Sequence, residues 1–555
     1  MEQQVVVVGA GPVGLWLAAE LRLGGVSVTL LEAREERDSH SKALTLHPRT
    51  LEILAFRGLV EKFLTEGVQL PSGHFGGLDD RMDFSVLDTP FPFTLALPQA
   101  RTEELLEEHA RAAGVRIRRR HRAVGLAGLT GSERLAGPAG LAEPAGLTGP
   151  AGPAGLTGPA GLTGPARRQD SVTVAVEGPD GPYTLEAAYV VGCDGTRSTV
   201  RGAAGIDFPG TDATTWGWLG DVVLDSPPQT RGISVSNLQG GLMALRIPGG
   251  FHRFIGIGRD DVRTDPSGEL TLEELRDNVV RITGDDFGMR DPVWLSRFGN
   301  ATRQAARYRA GRVLLAGDAA HMHFPTGGVG LNIGVQDATN LGWKLAATLN
   351  GTAPDGLLDS YHDERHPVGA DLLESTRAQT ALITGFTPEG QALRSFLSQL
   401  IATRPEFSKD LAERVSALAV AYPPVTNARD APDAPDTLDA STVGVHPLTG
   451  RRAPDLAFAS HGKSLFGLLN DGRHVLLDLT GTLTGAAGGR PAEFAPDLTV
   501  HSAPLSEPPA GPRPEWSGVR AALIRPDGHV AWASEEHDDD ALVTAVRTAV
   551  AATRA

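Results

Sequence analysis

The residues best placed to do chemistry begin at the ninth position. Gly9-Ala10-Gly11-Pro12-Val13-Gly14 follows a β-branched run, and Glu32 ends the next apolar stretch, 18 residues after Gly14. Glycines at that spacing allow a tight turn and let a pyrophosphate approach backbone N–H groups at a helix N-terminus. A carboxylate ending the following strand is placed to accept hydrogen bonds from a ribose diol. Gly9, Gly11, Pro12, Gly14 and Glu32 are therefore expected to hold the adenosine diphosphate part of a dinucleotide. The motif leaves FAD and NAD both open.

Two later segments share this architecture. Val190-Val-Gly-Cys-Asp194-Gly195-Thr-Arg197-Ser198 runs from an apolar stretch into a sharp turn. Val313-Leu-Leu-Ala-Gly317-Asp318 does the same, followed by Pro325-Thr-Gly327-Gly328-Val329-Gly330-Leu331-Asn332. An aspartate at a strand end can accept hydrogen bonds from ribityl hydroxyls. The glycines after it let backbone approach a flat ring, and a helix opening at Gly330 aims its positive end there. That end would stabilise negative charge on a reduced flavin.

The elements that must position these groups can be read from periodicity. Val5–Val8, a helical pattern from Gly14 to Arg22, and Val26–Glu32 form a β-α-β unit. Strand patterns return at Val172–Val176 and Tyr183–Val191, and short alternating runs between Ile206 and Arg309 predict a mostly antiparallel sheet. Helices are expected at Gly330–Leu349 and Pro367–Ile383, and a Pro/Asp-rich linker at Ala421–Ala440. Beyond it, His474–Leu479, Leu498–Ser502 and a hairpin around Pro526-Asp527-Gly528 predict a small α/β unit ending in a helix near Asp540–Ala552. Glycine occupies every third position from Gly125 to Gly164 except Arg134 and Glu143, a collagen-like period. A triple helix needs three aligned chains, so the tract reads as a triplet expansion in a loop, with no catalytic role.

A length of 555 residues predicts two or three domains. The net charge of −16 argues against a nucleic-acid partner. Cys193 is the only cysteine, which excludes an intramolecular disulfide and a cysteine-based metal centre. The apolar N-terminus lacks a basic leader and is broken by glycines, and no stretch is long enough to span a bilayer, so the chain reads as soluble and cytoplasmic.

All three segments, in this order and spacing over residues 3–375, resemble the class A flavoprotein monooxygenases of the para-hydroxybenzoate hydroxylase type. Ser41-Lys42-Ala-Leu, Arg49-Thr-Leu-Glu52, Pro98-Gln99, Phe298-Gly299-Asn300 and Gly342-Trp343-Lys344 are similar to hydroxylases of angucycline and tetracycline pathways. The resemblance implies a Rossmann-like FAD-binding α/β domain (1–205 and 300–375, carrying the 125–166 insertion). An inserted β-sheet substrate domain (206–299), a helical connection (376–430) and a thioredoxin-like domain without redox cysteines (431–555) would complete it.

The resemblance further implies that NAD(P)H reduces the flavin, O₂ adds at its C4a position, and the hydroperoxide hydroxylates an aromatic polyketide. No protein nucleophile and no metal is required. Lys42, Gln99, Asp194, Asp318, Pro325, Gly328, Gly330, Leu331 and Asn332 join the cofactor set. Phe208, Trp216, Trp218, Phe251, Phe254, His323 and Phe324 are candidates to stack on the substrate, and His47 is a proton-transfer candidate. Relatives often carry Gln where this chain has Val329, and Arg where it has Lys42, which loses the bidentate fork. Baeyer–Villiger insertion, antibiotic inactivation, and an FAD reductase or dehydrogenase remain open alternatives, as does a homodimer. Deleting residues 128–164 should leave FAD binding intact, checked by flavin absorbance of the purified variant; loss of folding would contradict the loop-expansion reading.

Overall fold

Val5, Val6 and Val7 are fully buried, as a strand becomes only with neighbours on both edges and layers on both faces. In the computed structural model the strand Gln3–Val8 pairs in parallel with Val28–Glu32 on one side and Gly181–Gly192 on the other. Arg116–Arg119 and Val313–Leu315 extend the parallel ladder outward, and Val172–Gly178 with Arg122–Ala127 add an antiparallel wing. Described are residues 3–128, 171–230, 232–247, 249–262, 268–423, 445–459, 462–481, 483, 498–506 and 513–552. The glycine-triplet tract from 129 and most of the expected linker lie outside them.

The ladder continues past the strand ends. Gly9 N donates to Leu31 O at 2.8 Å, Cys193 N to Val8 O at 2.8 Å, and Ala316 N to Gly192 O at 3.0 Å. The loops of all three motifs are thereby stitched to one another. Helix Pro12–Leu23 lies against helix Val329–Leu349, pinned by Trp16 Nε1 donating to Thr339 Oγ1 at 2.8 Å.

The inserted sheet runs in the order Gly232–Asn237, Gly240–Arg246, His252–Gly258, Trp216–Leu224, Met289–Gly299, antiparallel throughout. Helix Leu272–Thr283, capped by Thr271 and burying Leu275, Val279 and Ile282, covers one face; the sequence reading did not foresee it. Register decides which aromatics meet it. Trp218 pairs with Gly256 and Phe254 with Gly220, and both rings are fully buried beneath the helix. Trp216 lies on the same face, since strand side chains alternate with a period of two. The opposite face carries Ser234, Met243 and Ile255 in one cross-strand row, and Ser236, Ile257 and Phe298 about it. The expectation that Trp216, Trp218 and Phe254 stack on a substrate is corrected by this parity.

The C-terminal sheet runs Thr499–Ser502, Val475–Asp478, Ala521–Ile524, Val530–Ser534; the first two strands are parallel and the others antiparallel. Helix Asp539–Ala552 buries Leu542, Val546 and Val550, an i, i+4, i+8 stripe, against it. The tip of its hairpin, Arg525–His529, is driven into the flank of the first unit. There Arg525 holds both Glu364 oxygens, at 2.8 and 2.7 Å, and Lys344 Nζ donates to Glu364 Oε2 at 2.7 Å. Tyr422, at the start of the expected linker, is buried in this junction rather than solvated.

Burial raises the carboxyl pKa of Glu364, but Arg525 and Lys344 outweigh it and hold the group at about 2. A depressed carboxyl contributes stability that is fully present above its unfolded pKa of about 4.5 and is lost as pH falls through about 2. The difference in unfolding free energy between wild type and Glu364→Gln should therefore narrow as pH is lowered from about 5 to about 3. Urea titrations at the two pH values would check it, and a constant gap would refute the assignment.

Candidate active site

A cavity of about 1320 Å³ opens at the C-terminal ends of the parallel strands, where open α/β sheets bind ligands. It exceeds the roughly 300–1,000 Å³ of a typical single-ligand pocket. Its lining joins all three motif loops to one wall of the inserted sheet.

Gly9 stands at φ +102°, and a side chain there would strike Cys193 O at 2.3 Å. A Cβ on Gly14 would meet Gly9 O at 1.9 Å. Only glycine permits this turn. Helix Pro12–Leu23 opens from Gly11 without a side-chain cap, so the N–H groups of its first turn are left for a ligand. Each Glu32 oxygen accepts one backbone N–H, from Ala10 and from Arg34, both at 2.9 Å. That orients the carboxylate and leaves acceptor capacity on both oxygens.

Asp194 lines the cavity, but its side chain also does local work. It accepts from Ser198 Oγ at 2.5 Å and Val200 N at 3.1 Å, tying the turn at Gly195 to helix Thr199–Ala203. Asp318 is exposed into the cavity from the turn Gly317–Ala319. Gly327 and Gly328 stand at φ +68° and +66°, and helix Val329–Leu349 begins uncapped behind them. A Cβ on Gly328 would meet Thr45 Oγ1 at 2.4 Å. Pro325, Gly330 and Leu331 line the same loop. The turns, the uncapped helix ends and the two free-facing carboxylates fit an extended dinucleotide with a flat ring.

Other assigned residues act at one remove. Asn332 is buried, and its side chain accepts from His47 N at 2.8 Å and Thr50 Oγ1 at 2.7 Å while donating to Thr45 O and Gly328 O. It clamps the glycine loop instead of offering a free amide. Gln99 accepts from Ala43 N at 3.0 Å and donates to Glu103 at 2.7 Å, holding the backbone beside Lys42. Both Gln99 and Lys42 line the cavity.

The far wall comprises Phe84, Ser234, Met243, Ile255, Ile257 and Phe298, with His323 and Phe324 at its edge. The Phe298 and Phe324 rings lie 5.3 Å apart. Of the expected aromatics, His323 and Phe324 are at the cavity. Phe208 is not: the Arg201 guanidinium sits 3.7 Å over its ring. Phe251 lines a separate outer cleft with Arg253. His47 is at the cavity, and so is His74, which the sequence reading missed along with Arg81 and Arg394. Burial holds His47 and His323 below the usual histidine pKa and His74 at about 4, so all three imidazoles are neutral at pH 7. Burial, with Asp194 and Asp337 nearby, keeps the Cys193 thiol protonated.

Sequence comparison agrees with this geometry. Residues 2–132 and 161–376 match the model of an FAD binding domain, and residues 446–553 that of an aromatic-ring hydroxylase C-terminal region. The chain belongs to the FAD-dependent aromatic-ring hydroxylases. As a flavoprotein monooxygenase it is 42% identical to a Bacillus subtilis protein described as an uncharacterized aromatic compound monooxygenase, YhjG, over 97% of this chain and 96% of that one. It is 40% identical to the rifampicin monooxygenase of Streptomyces venezuelae, over 96% of both chains. The solved OxyS anhydrotetracycline hydroxylase from Streptomyces rimosus superposes with a TM-score of 0.79, at 38% identity and 99% coverage of each chain.

In this hydroxylase, Gly14→Ala should abolish copurification of FAD, because its Cβ lands on Gly9 O. Asp318→Ala should weaken FAD retention about tenfold, a loss of a charge-assisted contact. Flavin content per chain after dialysis reads both, and wild-type retention in either variant would show the placement to be wrong.

Proposed function

We propose that this hydroxylase uses NAD(P)H and O₂ to place one hydroxyl on a polycyclic aromatic polyketide, with the second oxygen atom leaving as water. The observation that carries the proposal is the cavity's division. Its carboxylates, Glu32, Glu36, Asp38, Glu103, Asp194 and Asp318, lie on the dinucleotide side, while among the described residues the wall from Leu70 to Phe84, across Gly232–Ile257 and at Arg394 is lined by no Asp or Glu. Apolar side chains with a few serines, imidazoles and guanidiniums suit a flat, oxygen-rich ring system. OxyS, an anhydrotetracycline hydroxylase, supports the same substrate class. So do the names of two further relatives, an anhydrotetracycline monooxygenase from Streptomyces rimosus and the aromatic hydroxylase CabE from angucycline biosynthesis.

FAD, when bound and reduced, supplies the oxygen-activating chemistry. The chain's own residues supply position, electrostatics and a proton path. The uncapped N-terminus of Val329–Leu349 faces the glycine loop and favours negative charge there. His47 Nδ1 donates to Val415 O at 2.9 Å, and the Gly327 backbone is a second partner of the ring, which holds the imidazole against the glycine loop. Burial holds that imidazole neutral, so a substrate phenol that displaces the Gly327 contact meets a group able to take its proton. The apolar wall excludes water from the reacting atoms.

We further read residues 1–205 with 300–375 as the FAD-binding domain, 206–299 as the substrate domain, 376–430 as a helical connection, and 431–555 as thioredoxin-like. For the last, the support is a parallel strand pair extended by an antiparallel hairpin; it holds no cysteine, so it has no thiol redox role. Dependence on NAD(P)H points to the cytoplasm, and among the described residues no helix is long and apolar enough to cross a membrane. A homodimer is compatible with this reading.

Turnover with NAD(P)H and a panel of angucycline, anthracycline and tetracycline phenols under oxygen-18 gas should give one labelled oxygen per product. Flavin reduction without labelled product from any of them would favour the reductase reading instead.

A further inference from the structure

A hairpin tip is ordinarily among the most solvated parts of a sheet. Arg525, Asp527 and His529, at the tip between Ala521–Ile524 and Val530–Ser534, are instead each less than a tenth exposed. They enter a continuous chain of buried charge. Arg525 grips both oxygens of Glu364, which also accepts from Lys344 Nζ and from Asn340 Nδ2 at 2.6 Å. Glu364 lies on helix Ser360–Ile383, and the next residue along it, Arg365, donates to Tyr422 OH at 3.2 Å and to Asp337 Oδ1 at 2.7 Å. Tyr422 in turn packs on His529, ring centroids 4.2 Å apart. The other Asp337 oxygen accepts from Gly317 N at 3.1 Å and is 2.8 Å from His321 Nε2. Gly317 opens the turn that carries Asp318.

A second arm reaches the same cavity. Arg49 donates to Asp527 O at 2.7 Å, and Gly528, at φ +77°, sits so close to Phe56 that a Cβ would come within 2.6 Å of the ring. Arg49 and Phe56 belong to helix Pro48–Phe56, which begins at the cavity residue His47. Along the first arm the charges balance: Arg525, Lys344 and Arg365 against Glu364, Asp527 and Asp337. In such a chain no member can shift alone without leaving a buried charge unpaired. Position is therefore transmitted from one end to the other.

We propose that the C-terminal hairpin tip is part of the flavin site at one remove: through Arg525, Glu364, Tyr422, Arg365 and Asp337 it sets the position of the Gly317–Ala319 turn and so of Asp318. The inference rests on the reading of that turn as an FAD contact. Arg525, Tyr422 and Asp337 are then positioning residues, touching neither flavin nor substrate. The C-terminal unit is required for cofactor geometry, not merely appended to it.

Full-length protein stripped of flavin and titrated with FAD tests this, with affinity and the visible spectrum of the bound flavin read together. Arg525→Met should raise the FAD dissociation constant about fivefold or more and shift the visible bands toward free flavin. Arg525→Lys should recover part of both. Tyr422→Phe, which removes one hydroxyl and no charge, should move both in the same direction while the flavin-free chain melts within about 2 °C of wild type. Wild-type affinity and spectrum in folded Arg525→Met and Tyr422→Phe would overturn the proposal. Should Arg525→Met fail to fold, Tyr422→Phe decides alone. A wild-type chain that took up no FAD would instead overturn the FAD reading itself.

Discussion

Everything in this hydroxylase hangs on how closely three backbone loops approach one another at the ends of adjacent parallel strands. The bonds Gly9 N to Leu31 O, Cys193 N to Val8 O and Ala316 N to Gly192 O carry the sheet ladder beyond the strands and into the loops. Such an approach leaves no room for side chains, which is why Gly9 and Gly14 cannot be replaced without a collision with backbone. Once the loops are fixed, two helices start from them uncapped, with their unpaired N–H groups turned to a common cavity. Segments some three hundred residues apart in the chain thus form one binding surface.

Charge is sorted around that surface. The chain as a whole carries −16, yet the cavity's carboxylates gather on the dinucleotide side, and the substrate wall is left to apolar groups, neutral imidazoles and two guanidiniums. Arg394 shows how a cation is kept there: its donors go to the carbonyls of Gly76, Leu382 and Gly77, so it braces the His74–Gly77 loop without needing a carboxylate. Asp221 and Arg253, buried as a pair on the same face of the inserted sheet, tie that sheet to Ser41 O beside Lys42. The substrate wall is thereby tied to the cofactor loops by specific bonds.

The glycine motifs, Glu32, Asp318 and the two parallel strands around them were legible in sequence because each needs a fixed residue type at a fixed spacing. The inserted sheet was legible only as a class. An aromatic on a strand is as good a core residue as a pocket residue, and the choice between Trp218 and Phe298 is made by a register of one residue, which composition does not reveal. Helix Leu272–Thr283 did carry a signal, Thr271 and Glu274 before an apolar stripe, which the alternating runs on either side masked. His74, Arg81 and Arg394 come together only through the packing of helix Pro388–Thr403 on the loops before Phe84, a long-range contact with no local signature. Asn332 and Gln99 were found by motif, but sequence does not show that their amides are spent inside the protein, Asn332 on His47 N and Thr50 Oγ1 and Gln99 on Ala43 N and Glu103.

The central claim is that the three stitched loops form a single FAD site, and a crystal structure of the protein purified with its flavin tests it most directly. The account predicts pyrophosphate over the N-terminus of Pro12–Leu23, a ribose at Glu32, the ribityl chain along Asp318 and the ring against Pro325–Gly330. Flavin bound elsewhere, with this cavity filled by solvent, would contradict it.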